Sequence, residues 1–145
     1  MSVLDDYPIA PSIRDFIARP HGLLIDGQWS DAVSEERLDV FEPSSAECIA
    51  TIAAGDAQDV NLAVEAAHRS MADGRWSRCP PAHRERILLK FAELIESDME
   101  VLAVLESVDN GKPLSAARDI DLPDAVRFAR YMAGWATKID GRVVQ

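Results

Sequence analysis

Glu106-Ser107-Val108-Asp109-Asn110-Gly111-Lys112-Pro113 is the stretch where the sequence punctuates itself most plainly. Asn-Gly followed closely by proline is a helix stop: glycine enters the left-handed region without a Cβ penalty, and proline cannot carry the helix on. Ahead of the stop, Val101, Leu102, Leu105 and Val108 recur at helical spacing, with Asp98 as the expected N-cap. Behind it, a helical region is predicted from about Ser115 to Lys138. Pro123 lies inside that region and removes a backbone donor, so a break or kink is expected near Asp121.

The spacing stays helical further upstream. Pro81 suits a first helical turn, where its missing N–H costs nothing, and Arg84, Ile87, Leu88, Phe91, Leu94 and Ile95 follow with helical period. The charged residues of this helix, Arg84, Glu85, Arg86, Glu93 and Glu96, read as a solvated face. Before it, Asp56 predicts a cap with Asp59 at N3, and Val60, Ala63, Val64, Ala67 and Met71 fall on one face. That helix should end near Asp73-Gly74.

Ahead of Gly55 the pattern changes from helix to hairpin. Asp26-Gly27, between Leu23-Leu24-Ile25 and Gln28-Trp29, signals a two-residue turn in which both positions need positive φ. Leu38, Val40 and Phe41 pair in prospect with Cys48 to Ile52 around the turn Pro43-Ser44-Ser45-Ala46-Glu47. Ile13, Phe16 and Ile17 fit a short amphipathic helix, expected to dock only loosely. Arg142-Val143-Val144-Gln145 reads as the start of a strand with no partner in view, which suggests the front part of a longer fold. The fold class is α+β, helix-rich, with two small hairpins in front.

With 145 residues, 48% apolar and 28% charged, the composition is that of a soluble globular protein with room for one core. A net charge of −10 repels both the nucleic-acid backbone and an anionic membrane surface, so neither partner is expected. No segment approaches the ~20 apolar residues of a membrane span. Asp5 and Asp6 stand where a signal peptide needs basic residues, so a cytoplasmic location is expected. His21, His68 and His83 fall in separate elements without metal-ligand spacing, and read as solvent-facing or helix-end residues. Cys48 and Cys79 are far apart and unmatched as a disulfide; Cys79, beside Arg78 and a helix start, is the nearer of the two to an activated thiol. No G-x-G-x-x-G follows a strand, so no dinucleotide fingerprint is present.

Six segments, in order, resemble the aldehyde dehydrogenase family. They are Leu24-Ile25-Asp26-Gly27-Gln28-Trp29; Glu42-Pro43-Ser44-Ser45-Ala46-Glu47 with Ile49-Ala50; Ala54-Gly55-Asp56 through Ala67; Trp76-Ser77-Arg78 with Arg84 and Ile87-Leu88; the Glu106 to Pro113 stretch; and Arg130 through Ile139. The last of these is similar to bacterial members acting on phenylacetaldehyde. The resemblance runs from about His21 to the end, which divides the chain into an N-terminal extension, 1–20, and an incomplete N-terminal part, 21–145, of a Rossmann-like α/β cofactor-binding domain.

The resemblance implies an enzyme in which a cysteine thiolate attacks an aldehyde, hydride passes to NAD or NADP, and a glutamate-activated water releases the acid. Neither Cys48 nor Cys79 matches the catalytic cysteine, so no catalytic and no cofactor-binding residue is assigned. This chain alone is expected to bind no dinucleotide and to oxidise no aldehyde. The complete protein is implied to be a homo-oligomer acting on an aldehyde substrate; a non-catalytic fragment that binds full-length relatives is the alternative. Val40 and Phe41, through carbonyls, and Asp109, through its carboxylate, match positions that hold a structural monovalent cation in some members. Asp109 also reads as a helix-end residue bonding the local turn. Ile120 and Asp124 match positions lining the substrate tunnel, where a carboxylate is unexpected. Glu42 replaces the family's usual Asn, and Ala46 its usual Gly, where a positive φ would cost alanine roughly 1 kcal/mol.

Overall fold

Hairpins, helices and one irregular turn follow the order that the sequence lays down. The computed structural model describes residues 3–7, 9–139 and 141; the strand expected at 142–145 lies outside them. Helix α1 (Pro11–Ala18) precedes strands β1 (Leu23–Ile25) and β2 (Gln28–Ser30), then β3 (Arg37–Phe41) and β4 (Cys48–Ala53). Helices α2 (Ala57–Ala72), α3 (Pro81–Ser97) and α4 (Met99–Asn110) come next. The short α5 (Leu114–Ala116) runs through a π turn (Ala117–Asp121) into α6 (Leu122–Ala133).

Both hairpins are antiparallel and form separate two-stranded sheets. In the first, Asp26 and Gly27 take φ of 52° and 76°, the two left-handed positions of a two-residue turn. In the second, Phe41 pairs with Cys48 after a bulge at Val40/Phe41. Arg37 holds the strands together at their open end. It donates to the carbonyls of His21 (2.9 Å) and Thr51 (3.2 Å), to Thr51 Oγ1 (3.2 Å) and to Asp31 (2.9 Å).

The N-terminal helix is more firmly seated than its length suggests. Ile13 and Ile17 are only 7% and 5% exposed, and with Leu4 and Ile9 they pack on Val104 and Val108 of α4. The loose docking expected of α1 is therefore corrected: its short apolar face completes the main core. A second cluster joins Ala103, Ala117 and Leu122, binding α4 to the π turn and to α6. Small residues let α3 and α6 approach closely, with Ala92 and Ala133 fully buried and Glu96 paired to Arg130 at 2.6 Å. No described helix is long and apolar enough to cross a membrane.

Of the two caps expected from the sequence, one forms and one does not. Asp56 caps α2 with a reciprocal box, accepting from the Gln58 and Asp59 amides while Asp59 accepts from the Asp56 amide. The apolar face of this helix lies open: Val60 and Val64 are 59% and 60% exposed, and Asp59 and Ala66 are the buried residues. Periodicity locates an apolar face without saying what covers it. Asp98 is the single residue between α3 and α4, at φ −101° and ψ 13°, and its side chain makes no cap bond. A capping side chain reaches the first amides from extended backbone, and Asp98 at ψ 13° is not extended.

Candidate functional site

A hydrogen-bonded polar corner forms where the α4 stop meets the second hairpin and the π turn. Gly111 ends α4 in the left-handed region at φ 69°, and a Cβ there would lie 3.2 Å from Pro43 Cβ. Buried Ser107 donates its hydroxyl to the Lys112 carbonyl at 2.7 Å, and Asn110 donates to Glu106 at 2.9 Å. Lys112 Nζ reaches Glu106 at 2.8 Å and Asp121 at 2.7 Å. Hydrogen bonds to Asp121 and then to Glu106 raise the ammonium pKa above its usual value.

Across from this corner sits Glu42, which is fully buried. Burial pushes its carboxyl pKa up, but bonds from the Ser44 and Ser45 hydroxyls, the Ser45 amide and the Tyr7 hydroxyl outweigh it and hold the pKa at about 2. Tyr7 Oη lies 2.9 Å away, so the same carboxylate ties the N-terminal segment to the β3–β4 turn. Sequence reading noticed Glu42 only as a departure; the adjacent Ser44-Ser45 was the signal that a carboxylate there would find donors.

An open apolar groove of about 760 Å³ runs between the second hairpin, α3 and α4. Phe16, Ile52, Phe91 and Leu105 supply much of its wall. Val40 and Asp109, two of the three positions implied for a cation, both line it; Phe41, on the neighbouring strand position, is exposed and does not. The Ser107 hydroxyl spans the turn after α4, while Asn110 bonds back to Glu106 within the helix. Ile120, in the π turn, is 59% exposed, while Asp124 lies outside the groove, exposed behind Pro123 and paired with Arg127. Cys48 is exposed and Cys79 half-buried, both as free thiols. His68 and His83 are exposed, but His21 is half-buried, with its ring 4.7 Å from Phe16. Among the described residues no three His, Cys, Asp or Glu side chains gather as a metal site.

The sequence profile of the aldehyde dehydrogenase family matches residues 29–145. This chain belongs to that family. Among its relatives, the phenylacetaldehyde dehydrogenase of Pseudomonas fluorescens is 42% identical over 127 residues, covering 88% of this chain and 25% of that protein. The mitochondrial benzaldehyde dehydrogenase of Antirrhinum majus is 43% identical over 122 residues, covering 84% of this chain and 23% of its own length. The NAD+ complex of a Bacillus cereus aldehyde dehydrogenase superposes with a TM-score of 0.90 at 32% identity, covering 94% of this chain and 28% of that one. The chain thus spans about a quarter of the length of the relatives it matches.

Proposed function

We propose that the chain is the N-terminal part of the cofactor-binding domain of an NAD(P)-dependent dehydrogenase for an aromatic aldehyde, with phenylacetaldehyde the first substrate to try. The identity of 42% to a phenylacetaldehyde dehydrogenase, sustained over most of the chain, is the observation that carries this reading. NAD or NADP, when bound, supplies the hydride acceptor. The residues present do not fit it: the acidic members of the groove, Asp98, Glu106 and Asp109, oppose a pyrophosphate, and neither Lys nor Arg lines it.

What this chain contributes is support. The Val40 and Phe41 carbonyls with the Asp109 carboxylate hold a monovalent cation, and Ile120 and Asp124 border the aldehyde's approach. Residues 1–20 serve as an extension that closes the core, and 21–145 as domain proper. The complete enzyme is cytoplasmic and a homo-oligomer. Exposed Phe128 and Tyr131 on α6 favour a second reading, a non-catalytic subunit that binds full-length relatives.

The test is reduction of NAD and NADP with phenylacetaldehyde, by the 145-residue chain and by the protein as its own cell makes it, with the intact mass of the latter. Turnover by the cellular protein and none by the 145 residues is expected. Turnover by the short chain refutes the division of labour, and none by either refutes the activity. Retention of a full-length dehydrogenase on the short chain, without turnover, marks the second reading.

A further inference from the structure

The π turn is anchored at both ends. At its last residue, Asp121 accepts from Lys112 Nζ at 2.7 Å, and Lys112 is tied back to Glu106 on α4 at 2.8 Å. Near its start, Arg118 pairs with Glu100 at the opposite end of α4, at 2.9 Å. The Leu122 amide donates to the Ala117 carbonyl, five residues back, which defines the wide turn. Pro123 has no N–H for the Asp119 carbonyl, so an ordinary α-helical bond is unavailable there. Between the anchors stands Ile120, more than half exposed. A π turn is a helix under local constraint, and such turns recur at functional sites.

We propose that Lys112 is a positioning residue, bridging Glu106 and Asp121 so that the π turn presents Ile120 in one direction and thereby sets which aldehydes pass. The inference rests on the reading above that Ile120 borders the substrate's approach. Lys112 touches no reacting atom; it acts through the backbone of the turn. The bridge is half-buried, with Lys112 at 31% and Asp121 at 40% side-chain exposure, so it is shielded better than an open surface pair. Freed of Lys112, Asp121 loses its tie to α4, while Ala117 and Leu122 stay packed on Ala103 and Arg118 keeps its pair with Glu100. The middle of the turn then shifts between packed ends rather than unfolding.

Two measurements decide it, on wild type, Lys112→Met and Lys112→Arg. Amide hydrogen exchange in the 145-residue chain should quicken at 117–122 in Lys112→Met, on the order of tenfold, with α3 unchanged and Lys112→Arg close to wild type. In the protein from its own cell, the ratio of kcat/KM for phenylacetaldehyde to that for acetaldehyde should fall on the order of tenfold in Lys112→Met, mainly through KM for the larger aldehyde. Lys112→Arg should restore the ratio. Unchanged exchange overturns the bridge. Changed exchange with an unchanged ratio, or equal losses for both aldehydes, overturns the selectivity role. A cellular protein that oxidises neither aldehyde instead overturns the functional reading beneath it, and the exchange data still judge whether Lys112 holds the turn.

Discussion

Ala46 occupies a backbone conformation that suits glycine, and replacing it measures what that costs. Its φ is 57°, its amide donates to the Glu42 carbonyl at 2.8 Å, and the Glu42 amide donates to the Glu47 carbonyl at 2.9 Å. The turn is thus fixed by bonds on either side and cannot relax around the methyl group. Left-handed backbone costs an L-residue roughly 1–2 kcal/mol. Glycine escapes that cost but carries roughly 0.5–1 kcal/mol more chain entropy into the unfolded state. Ala46 is exposed, so removing its methyl sacrifices no packing. Ala46→Gly should therefore stabilise the chain by about 0.5–1 kcal/mol. At a melting entropy of roughly 2.1 cal/mol/K per residue, that is a rise in Tm of about 2–3 °C. Urea unfolding followed by tryptophan fluorescence is the direct assay. The midpoint should move up by about 0.3–0.5 M with the slope unchanged, if the slope is about 2 kcal/mol/M. Ala46→Val, which adds β-branching to the same φ, should move it down. A glycine variant less stable than wild type would refute the reasoning, because the strain would then not reside at this residue.

Glu42 should govern the acid limb of stability. Its folded pKa, about 2, lies below the ordinary 4.5, so its contribution is whole above about pH 4.5 and drains away as pH falls towards 2. Glu42→Gln should flatten the stability profile across that window; an unchanged acid limb would show that the carboxylate is not held as described. Gly111→Ala forces a Cβ into left-handed backbone and against Pro43, and should cost at least roughly 1–2 kcal/mol by urea titration. A neutral result would mean that α4 ends differently. Asp56→Ala removes a cap with two amide partners and should cost about 1 kcal/mol, with faster exchange confined to the first turn of α2.

The sequence disclosed what short-range chemistry dictates. Asp26-Gly27 marked its turn because two successive positive φ angles demand it, and Asn110-Gly111 with Pro113 marked the end of α4 because Gly111 turns left-handed there and proline cannot carry the helix on. Pro123 announced an irregularity near Asp121, and the π turn stands there, since a missing N–H is a local fact. What stayed hidden depends on partners distant in the chain. Nothing in the spacing of Val60 and Val64 says that their face is uncovered, and nothing near Ile13 names Val104 as its neighbour. Glu42 registered only as a departure: Ser44 and Ser45 stand beside it, but the Tyr7 hydroxyl that completes its five donors comes from 35 residues away. Of the implied site residues, the groove gathers Val40 and Asp109, while Ile120 and Asp124 sit apart from it.

The seating of α1 also imposes an order on synthesis. Ile13 and Ile17 pack on Val104 and Val108, which leave the ribosome roughly ninety residues later, or about 5–20 s at roughly 5–20 residues per second. The two hairpins, whose partners are adjacent in sequence, close within microseconds of emerging. The N-terminal helix cannot finish until α4 is made, so for that interval its apolar edge travels bare on a nascent chain. Asp5, Arg14 and Asp15, charged residues on or beside that segment, keep the waiting end in water until its seat exists.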